Sequence, residues 1–292
     1  MIRIEIGLRH YLMYLLLPHR IKWRLLTPAS RAKLDRINRA FNETLYSGAG
    51  ASGYDQIHRY AEDEQHEYPA RPLVADVWPG SGYGRALEVG AGSGYFTTLI
   101  ARHARSVIAL EPVADMQAVL KGRCRAEGVD NVEVLGVPVA DLAAVVPAAS
   151  VDTAFIIQSL HHLHDRERVF EALGHVVRPG GRLLMVEPHH NLRRVGRLFR
   201  KYLTTYRTLE FRSDERNWAT HDFLTRGELR ALCRRGGFGR LRLSGYWIPY
   251  SRRLIPDADR RFRAEGWLGR WPVFRHWAAV LALEARRLPE SR

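Results

Sequence analysis

The sequence predicts an α/β protein built on a parallel, doubly wound sheet, and three observations carry that prediction. From Arg85 onward, short apolar runs alternate with amphipathic runs of helix length. The turns between them are short, so successive strands lie parallel and are joined by right-handed crossovers. In L-E-V-G-A-G-S-G-Y-F-T, Leu87 to Thr97, a buried strand runs into glycines on alternate positions, the pattern of a loop that lies against a nucleotide-type ligand.

Residues 1–67 read as an N-terminal helical extension and lid, and 68–292 as the sheet domain. Leu8, Tyr11, Leu12 and Leu15 share one helical face, and Arg20, Lys22, Arg24 and Arg31 follow beyond Pro18. The run Leu8 to Leu17 is interrupted by Arg9 and His10, is too short to span a bilayer and lacks a cleavage site. It packs over the mouth of the site or docks on a membrane surface, and both readings stand. The small residues Ser47 to Gly53 then punctuate the chain before Tyr54 to Tyr68, a second lid segment.

In the sheet, strand 1 is expected near Arg85 to Val89, with a helix starting near Tyr95. Strand 2, near Ser106, ends at Glu111, where a carboxylate can accept hydrogen bonds from both hydroxyls of a ribose. Strand 3 falls near Val132 to Leu135, strand 4 near Thr153 to Gln158 and strand 5 near Arg182 to Glu187. A helix starts near Thr225, and the last two strands lie near Arg240 to Trp247 and Trp277 to Ala285. No helical pattern of crossover length stands out between those two. Insertions are expected at about 188–224 and 248–272. In the first, Leu198, Tyr202, Thr205 and Leu209 recur at helical spacing among arginines, as in a substrate cap over the strand ends.

The glycine spacing narrows the ligand. No G-x-x-x-x-G-K-[ST] occurs, so a triphosphate cradle lacks its lysine and its magnesium-binding hydroxyl. A dinucleotide fingerprint would place its third glycine where Tyr95 stands, which leaves NAD as the weaker reading. The run E-x-G-x-G-x-G, Glu88 to Gly94, resembles motif I of class I S-adenosylmethionine-dependent methyltransferases. Val151 to Leu163, Leu173 to Pro188 with its R-P-G-G turn, and Thr225 to Phe238 resemble further motifs of that family, in the same order. The resemblance covers roughly Tyr68 to Arg287. It implies a Rossmann-like sheet of seven strands in the order 3-2-1-4-5-7-6 with the last strand antiparallel, and S-adenosylmethionine as cofactor.

The cofactor contacts that the resemblance implies are Glu88, Gly90, Ala91, Gly92, Gly94, Glu111, Pro112, Met116, Asp141 and Gln158. Gln158 places a polar group near the sulfonium, or serves the turn. Many relatives carry Gly-Asp after strand 3, with the carboxylate near the adenine amino group. Here Gly136 is followed by Val137 and Pro138, and Asp141 is the nearest substitute.

At 292 residues and 46% apolar composition, the chain buries a substantial core. Its net charge of +14 is uneven: +7 over residues 1–40, −6 over 41–186 and +13 over 187–292. Only Lys22, Lys33, Lys121 and Lys201 are lysines, so arginine supplies nearly all the positive charge. Either codon bias or a basic face for an anionic partner accounts for it. Cys124 and Cys233 are the only cysteines, and they suggest neither a disulfide framework nor a zinc site. A reducing cytosol is expected, with peripheral membrane contact through the N-terminal helix as an option.

Methyl transfer needs an aligned nucleophile more than an elaborate apparatus. For a hydroxyl acceptor, the candidate bases are His161 after strand 4 and His189 after strand 5. Their alternatives are packing and capping. His161, His162, His164, His189 and Glu187 include metal-ligand types, but their spacing matches no zinc signature, so no metal is expected. His221, between Trp218 and Phe223, belongs to core or to an aromatic substrate pocket.

The expected activity is methyl transfer, by in-line displacement, to a small apolar or aromatic metabolite or a lipid-like acceptor. The alternative is an RNA methyltransferase using the basic C-terminal segment. Against it, Q-S-L-H stands after strand 4 where a base methylase carries D/N-P-P-Y/F. A third reading, a non-catalytic binding protein, has to explain an intact Glu88, glycine triplet and Glu111.

Overall fold

The protein is described by a computed structural model over residues 17–32, 36, 40, 43, 46–54, 71, 82–163, 165–205 and 223–289, without the side chains of 198 and 201–205. The apolar run Leu8 to Leu17, except its last residue, lies outside the described residues. So do positions 55–68 of the second lid segment, His164, Tyr202 beyond its backbone, Leu209, Trp218 and His221.

Seven strands form one sheet: β1 (Arg85–Val89), β2 (Ser106–Leu110), β3 (Val132–Leu135), β4 (Val151–Ile157), β5 (Val177–Pro188), β6 (Phe238–Tyr246) and β7 (Val280–Arg287). Their order is β3-β2-β1-β4-β5-β7-β6, and β7 alone runs antiparallel to both of its neighbours. This is the expected topology. The named helices are α1 (His19–Leu25), α2 (Ala49–Ser52), α3 (Tyr95–Ala101), α4 (Ala114–Ala126), α5 (Leu142–Val145), α6 (Arg166–Val176), α7 (Leu192–Thr205), α8 (Arg226–Arg235), α9 (Ser251–Leu254), α10 (Ala258–Leu268) and α11 (Pro272–Trp277).

The central strands are apolar on both sides because both sheet faces are covered. Side chains alternate between faces, so Leu87, Val89, Ala154 and Ile156 pack with Phe170 and Leu173 of α6 and Leu229 of α8. Ala86, Phe155 and Ile157 join Phe96 and Ile100 of α3 and Phe262 of α10 on the opposite face. Two cores flanking one sheet hold the carboxyl ends of β1, β2 and β4 in register. The functional cleft opens at those ends.

Three differences from expectation have local physical causes. β5 begins at Val177 rather than Arg182, because Val177 pairs with Val151 before the register breaks and resumes at Arg182 opposite Thr153. The R-P-G-G turn is thus an irregularity within the strand, with Gly180 at φ +78°. Between β6 and β7 the chain forms α9, α10 and α11, where no helical pattern of crossover length stood out in the sequence. The inner face of α10 carries Arg261, Phe262 and Glu265, all buried, so its amphipathic stripe is mostly polar. Glu265 accepts the backbone N–H groups of Trp247 at 2.8 Å and Ile248 at 3.0 Å, while Arg261 donates to the carbonyls of Ile255 and Pro256. Trp277 ends α11, a helix opened by Pro272, and the last strand therefore starts three residues later than the sequence suggested.

Helix α8 starts as expected. Thr225 and Glu228 close a capping box, and the second oxygen of Glu228 accepts the N–H of Arg20 at 2.6 Å. One carboxylate therefore caps α8 and seats α1. Similarly, Asp115 in the first turn of α4 accepts the N–H of Gly48 at 2.7 Å and seats α2 beside the glycine loop.

Candidate functional site

The loop between β1 and α3 turns on glycines. Gly90 holds φ +72°, and a Cβ there would stand 2.6 Å from Cβ of Ser159 in the turn after β4. Only glycine lets the two turns approach so closely. Gly92, at φ +55°, has no protein atom closer than 3.7 Å to where its Cβ would be, and so presents bare backbone to the cleft. A cradle of this kind suits a ligand laid against main chain.

Glu111 follows β2 and faces the same space. One carboxylate oxygen accepts the N–H of Gly92 at 2.8 Å and the other that of Val113 at 3.0 Å. Burial pushes its carboxyl above the usual range, and the two N–H groups oppose that shift. With one backbone donor on each oxygen, the carboxylate is fixed in orientation and keeps further lone pairs for a ligand.

The cleft has a volume of about 310 Å³. Gly90, Gly92, Glu111, Pro112, Met116 and Gln158 line it, so six of the ten residues named as cofactor contacts meet around one space. The other four do not reach its wall. Ala91 is buried in a small core with Ala109, Leu120 and Cys124, and a Cβ on Gly94 would strike Leu120. Asp141 is exposed, while Val137, Pro138, Val139 and Ala140 form the wall in its place.

Glu88 stands behind the wall, 1% exposed, where Thr97 donates a hydrogen bond to it at 2.5 Å. Burial raises its carboxyl to about 8; the Thr97 hydrogen bond opposes the rise and the charge of Glu111 adds to it. This buried link fastens β1 to α3 across the glycine loop. Glu88 thereby positions the residues that line the cleft.

The turn after β4 is fastened by a second buried carboxylate. One oxygen of Glu187 accepts the N–H groups of Ser159 and Leu160, each at 2.8 Å, and the other lies 2.9 Å from Nδ1 of His161. The carboxylate thus caps a short 3-10 turn, Leu160–His162, and favours the Nδ1–H tautomer of His161. Burial raises the carboxyl of Glu187 to about 7, against the lowering effect of those N–H groups. Gln158, just before the turn, sits at φ +51°, a left-handed conformation that costs a residue with a Cβ about 1–2 kcal/mol. It is pinned by its N–H on the carbonyl of Val186 at 2.8 Å.

The candidate bases lie off the wall. His161 is 5% exposed, its ring centroid 5.4 Å from that of Phe223 and 4.2 Å from that of His162, and it is His162 that lines the cleft. His189 is buried between β5 and the start of β7, with Nδ1 3.1 Å from the carbonyl oxygen of Ala278. Burial lowers its pKa to about 4 despite that hydrogen bond, so the ring is neutral. Phe223 packs between His161 and the guanidinium of Arg194, which lies 3.3 Å from the Phe223 ring centroid. Among the described residues, no group of three or more His, Cys, Asp or Glu stands together as a metal site.

Three wall residues, Glu43, Tyr46 and Tyr54, come from the N-terminal extension. Tyr46 meets Tyr54 edge-on at 5.7 Å and His162 at 6.0 Å. Burial, with Tyr54 and Glu111 adding to it, pushes the Tyr46 phenol up and keeps it protonated. In the sequence, Tyr46 directly precedes a run of small residues that reads as a linker, and nothing local marks it as a wall.

Residues 87–185 match the family described as "Methyltransferase domain". An uncharacterized methyltransferase of Mycobacterium bovis is 34% identical over 106 residues, which cover 35% of this chain and 39% of that protein. A Mycobacterium tuberculosis protein named a probable S-adenosylmethionine-dependent methyltransferase is 38% identical over 103 residues, 35% of each chain. The matches to these curated relatives thus span well under half of their length. A solved structure of Haemonchus contortus phosphoethanolamine N-methyltransferase 2 with S-adenosyl-L-methionine shares the fold, with a TM-score of 0.57 at 14% identity over 87% of this chain and 60% of that one. Among the described residues, no helix is long and apolar enough to cross a membrane.

Proposed function

We propose that this chain, whose residues 87–185 match a methyltransferase-domain family, is a class I S-adenosylmethionine-dependent methyltransferase that acts on a small apolar or aromatic acceptor, lipid-like molecules included. The observation that carries the reading is the Glu111 carboxylate, oriented by Gly92 and Val113 at the edge of a cleft whose other walls are largely apolar. When bound, S-adenosylmethionine supplies an electrophilic methyl group on a sulfonium, open to in-line displacement.

Every other task falls to the chain itself. Glu111 accepts the two ribose hydroxyls, and the bare backbone at Gly90 and Gly92 admits the amino-acid end. Met116, Val137, Pro138 and Val139 give an apolar slot for a flat base. Gln158 lines the same space and supplies an amide to it. Tyr46, Tyr54 and His162 close the acceptor side with rings that exclude water and hold the nucleophile in line, where proximity supplies most of the acceleration. His162 reaches the cleft, whereas His161 and His189 act through packing.

Calorimetric titration with S-adenosylhomocysteine, then a tritiated-methyl screen of separated lipid, small-molecule and RNA extracts, tests the reading. Binding with label in the lipid or small-molecule fraction is expected. Label confined to RNA would reject the acceptor class, and absence of binding would reject the cofactor.

A further inference from the structure

Because β4, β5 and β6 run parallel and β7 antiparallel, the end of β5, the end of β6 and the start of β7 share the sheet edge that bears the cleft. Both long insertions leave from that edge. There α9, α11 and the first turn of α7 surround an open groove of about 590 Å³ lined by Ile248, Tyr250, Val273, Phe274, Trp277 and Arg193. Tyr250 is 76% exposed and Val273 67%, and Leu254, one turn along α9 from Tyr250, is also 76% exposed. So many large apolar side chains in water on one face call for a covering surface. Tyr250 moreover holds φ +64°, a left-handed conformation retained at an exposed aromatic residue.

The charge around this face says what covers it. Helix α7 carries five basic residues and no acidic one. The β6–β7 connection, 247–279, has seven arginines against three acidic residues, and one of those, Glu265, is buried on backbone N–H groups. Arg197, Arg253 and Arg270 are exposed. A second copy would bring like charge against like. The groove itself offers a nucleic acid little for its phosphates, since Arg193 donates to the carbonyls of Trp247 and Trp277 and the other lining residues are uncharged.

We propose that this face docks on an anionic lipid bilayer, with Tyr250, Leu254, Val273, Phe274 and Trp277 entering the headgroup boundary and the arginines meeting lipid phosphates. The site is built from residues of the C-terminal half of the sequence. It goes beyond the reading above: it sets the mouth of the cleft beside the membrane, so that an acceptor with an apolar tail need not leave the bilayer to be methylated.

The test is co-sedimentation of the full chain with vesicles of phosphatidylcholine plus phosphatidylglycerol, against phosphatidylcholine alone. The wild type is expected to partition onto the anionic vesicles. The triple variant Tyr250→Ser, Phe274→Ser, Trp277→Ser should lose about tenfold or more in partitioning, and Arg197→Glu with Arg253→Glu about tenfold. Unchanged S-adenosylhomocysteine binding certifies each variant as folded, and Tyr250→Ser alone serves if the triple variant fails that control. No sedimentation of the wild type, or equal partitioning of wild type and groove variants, overturns the proposal. So does a dimer by light scattering, or binding of a labelled oligonucleotide, that the groove variants abolish. Partitioning is read without methyl transfer, so its outcome is independent of the acceptor screen.

Discussion

Glu88 gives the sharpest test of how the glycine loop is held. Its carboxyl is raised from 4.5 to about 8 by burial, so the folded state retains a proton that the unfolded chain releases. The stability this contributes is complete below about 4.5 and drains away as pH rises through about 8, at about 1.4 kcal/mol per pH unit. Glu88→Gln is isosteric with the neutral acid and keeps an acceptor for the Thr97 hydroxyl, but has no proton to lose.

The variant should therefore match the wild type near pH 5 and become the more stable of the two as pH rises. The gap should approach on the order of 4–5 kcal/mol above pH 8, the product of that slope and the width of the window. Urea unfolding of both proteins at half-unit steps from pH 5 to 8.5 measures it. Because Glu187 and His189 titrate in both proteins, their contributions cancel in the difference. Parallel curves would show that Glu88 is already ionised in the fold. A loss beyond about 1 kcal/mol at pH 5 would show that the hydrogen bond needs a charged acceptor.

Further outcomes follow from the same geometry. Glu111→Gln leaves neither backbone N–H with a charged acceptor and sets one of them against an amide NH2 that can only donate, so it should weaken S-adenosylhomocysteine about 10- to 100-fold by calorimetry, since bonds to charged groups are worth about 1.5–3 kcal/mol. In the wild type, affinity should begin to fall on acidification above the ordinary carboxylate range, because the Glu111 carboxyl is raised and its neutral form is a poorer acceptor. Glu187→Ala orphans the N–H groups of Ser159 and Leu160 and should cost about 3 kcal/mol in urea unfolding, with weaker cofactor binding as the turn after β4 loosens. His189→Gln should leave turnover at saturating substrate intact. It should also remove the stability that the wild type loses as pH falls from 6.5 to about 4, because the folded ring resists a proton that the unfolded ring accepts. A large drop in its kcat would restore His189 to the chemistry.

The sequence by itself determined the alternating sheet, the glycine turn and the carboxylate at Glu111. Each is written in neighbouring residues: the apolar run Leu87 to Val89, glycines at alternate positions, and an acidic residue closing the apolar run from Ser106. With the family resemblance, the strand order followed as well. Hydropathy reports how a segment faces water, and for these segments the chain's own neighbours decide that.

Only the tertiary structure decided which side chains close the cleft and which merely hold it. Glu265 and Arg261 look like surface charges until the backbone groups they satisfy are seen around them, and so α10 went unread. Glu187 meets the turn it caps 27 residues back in the chain, and Glu228 meets Arg20 across 208. Tyr46 joins the wall because Asp115 anchors the neighbouring Gly48. A buried polar group is tolerated only with its partner, and that partner lies far along the chain, where no pattern of period two or 3.6 can point to it.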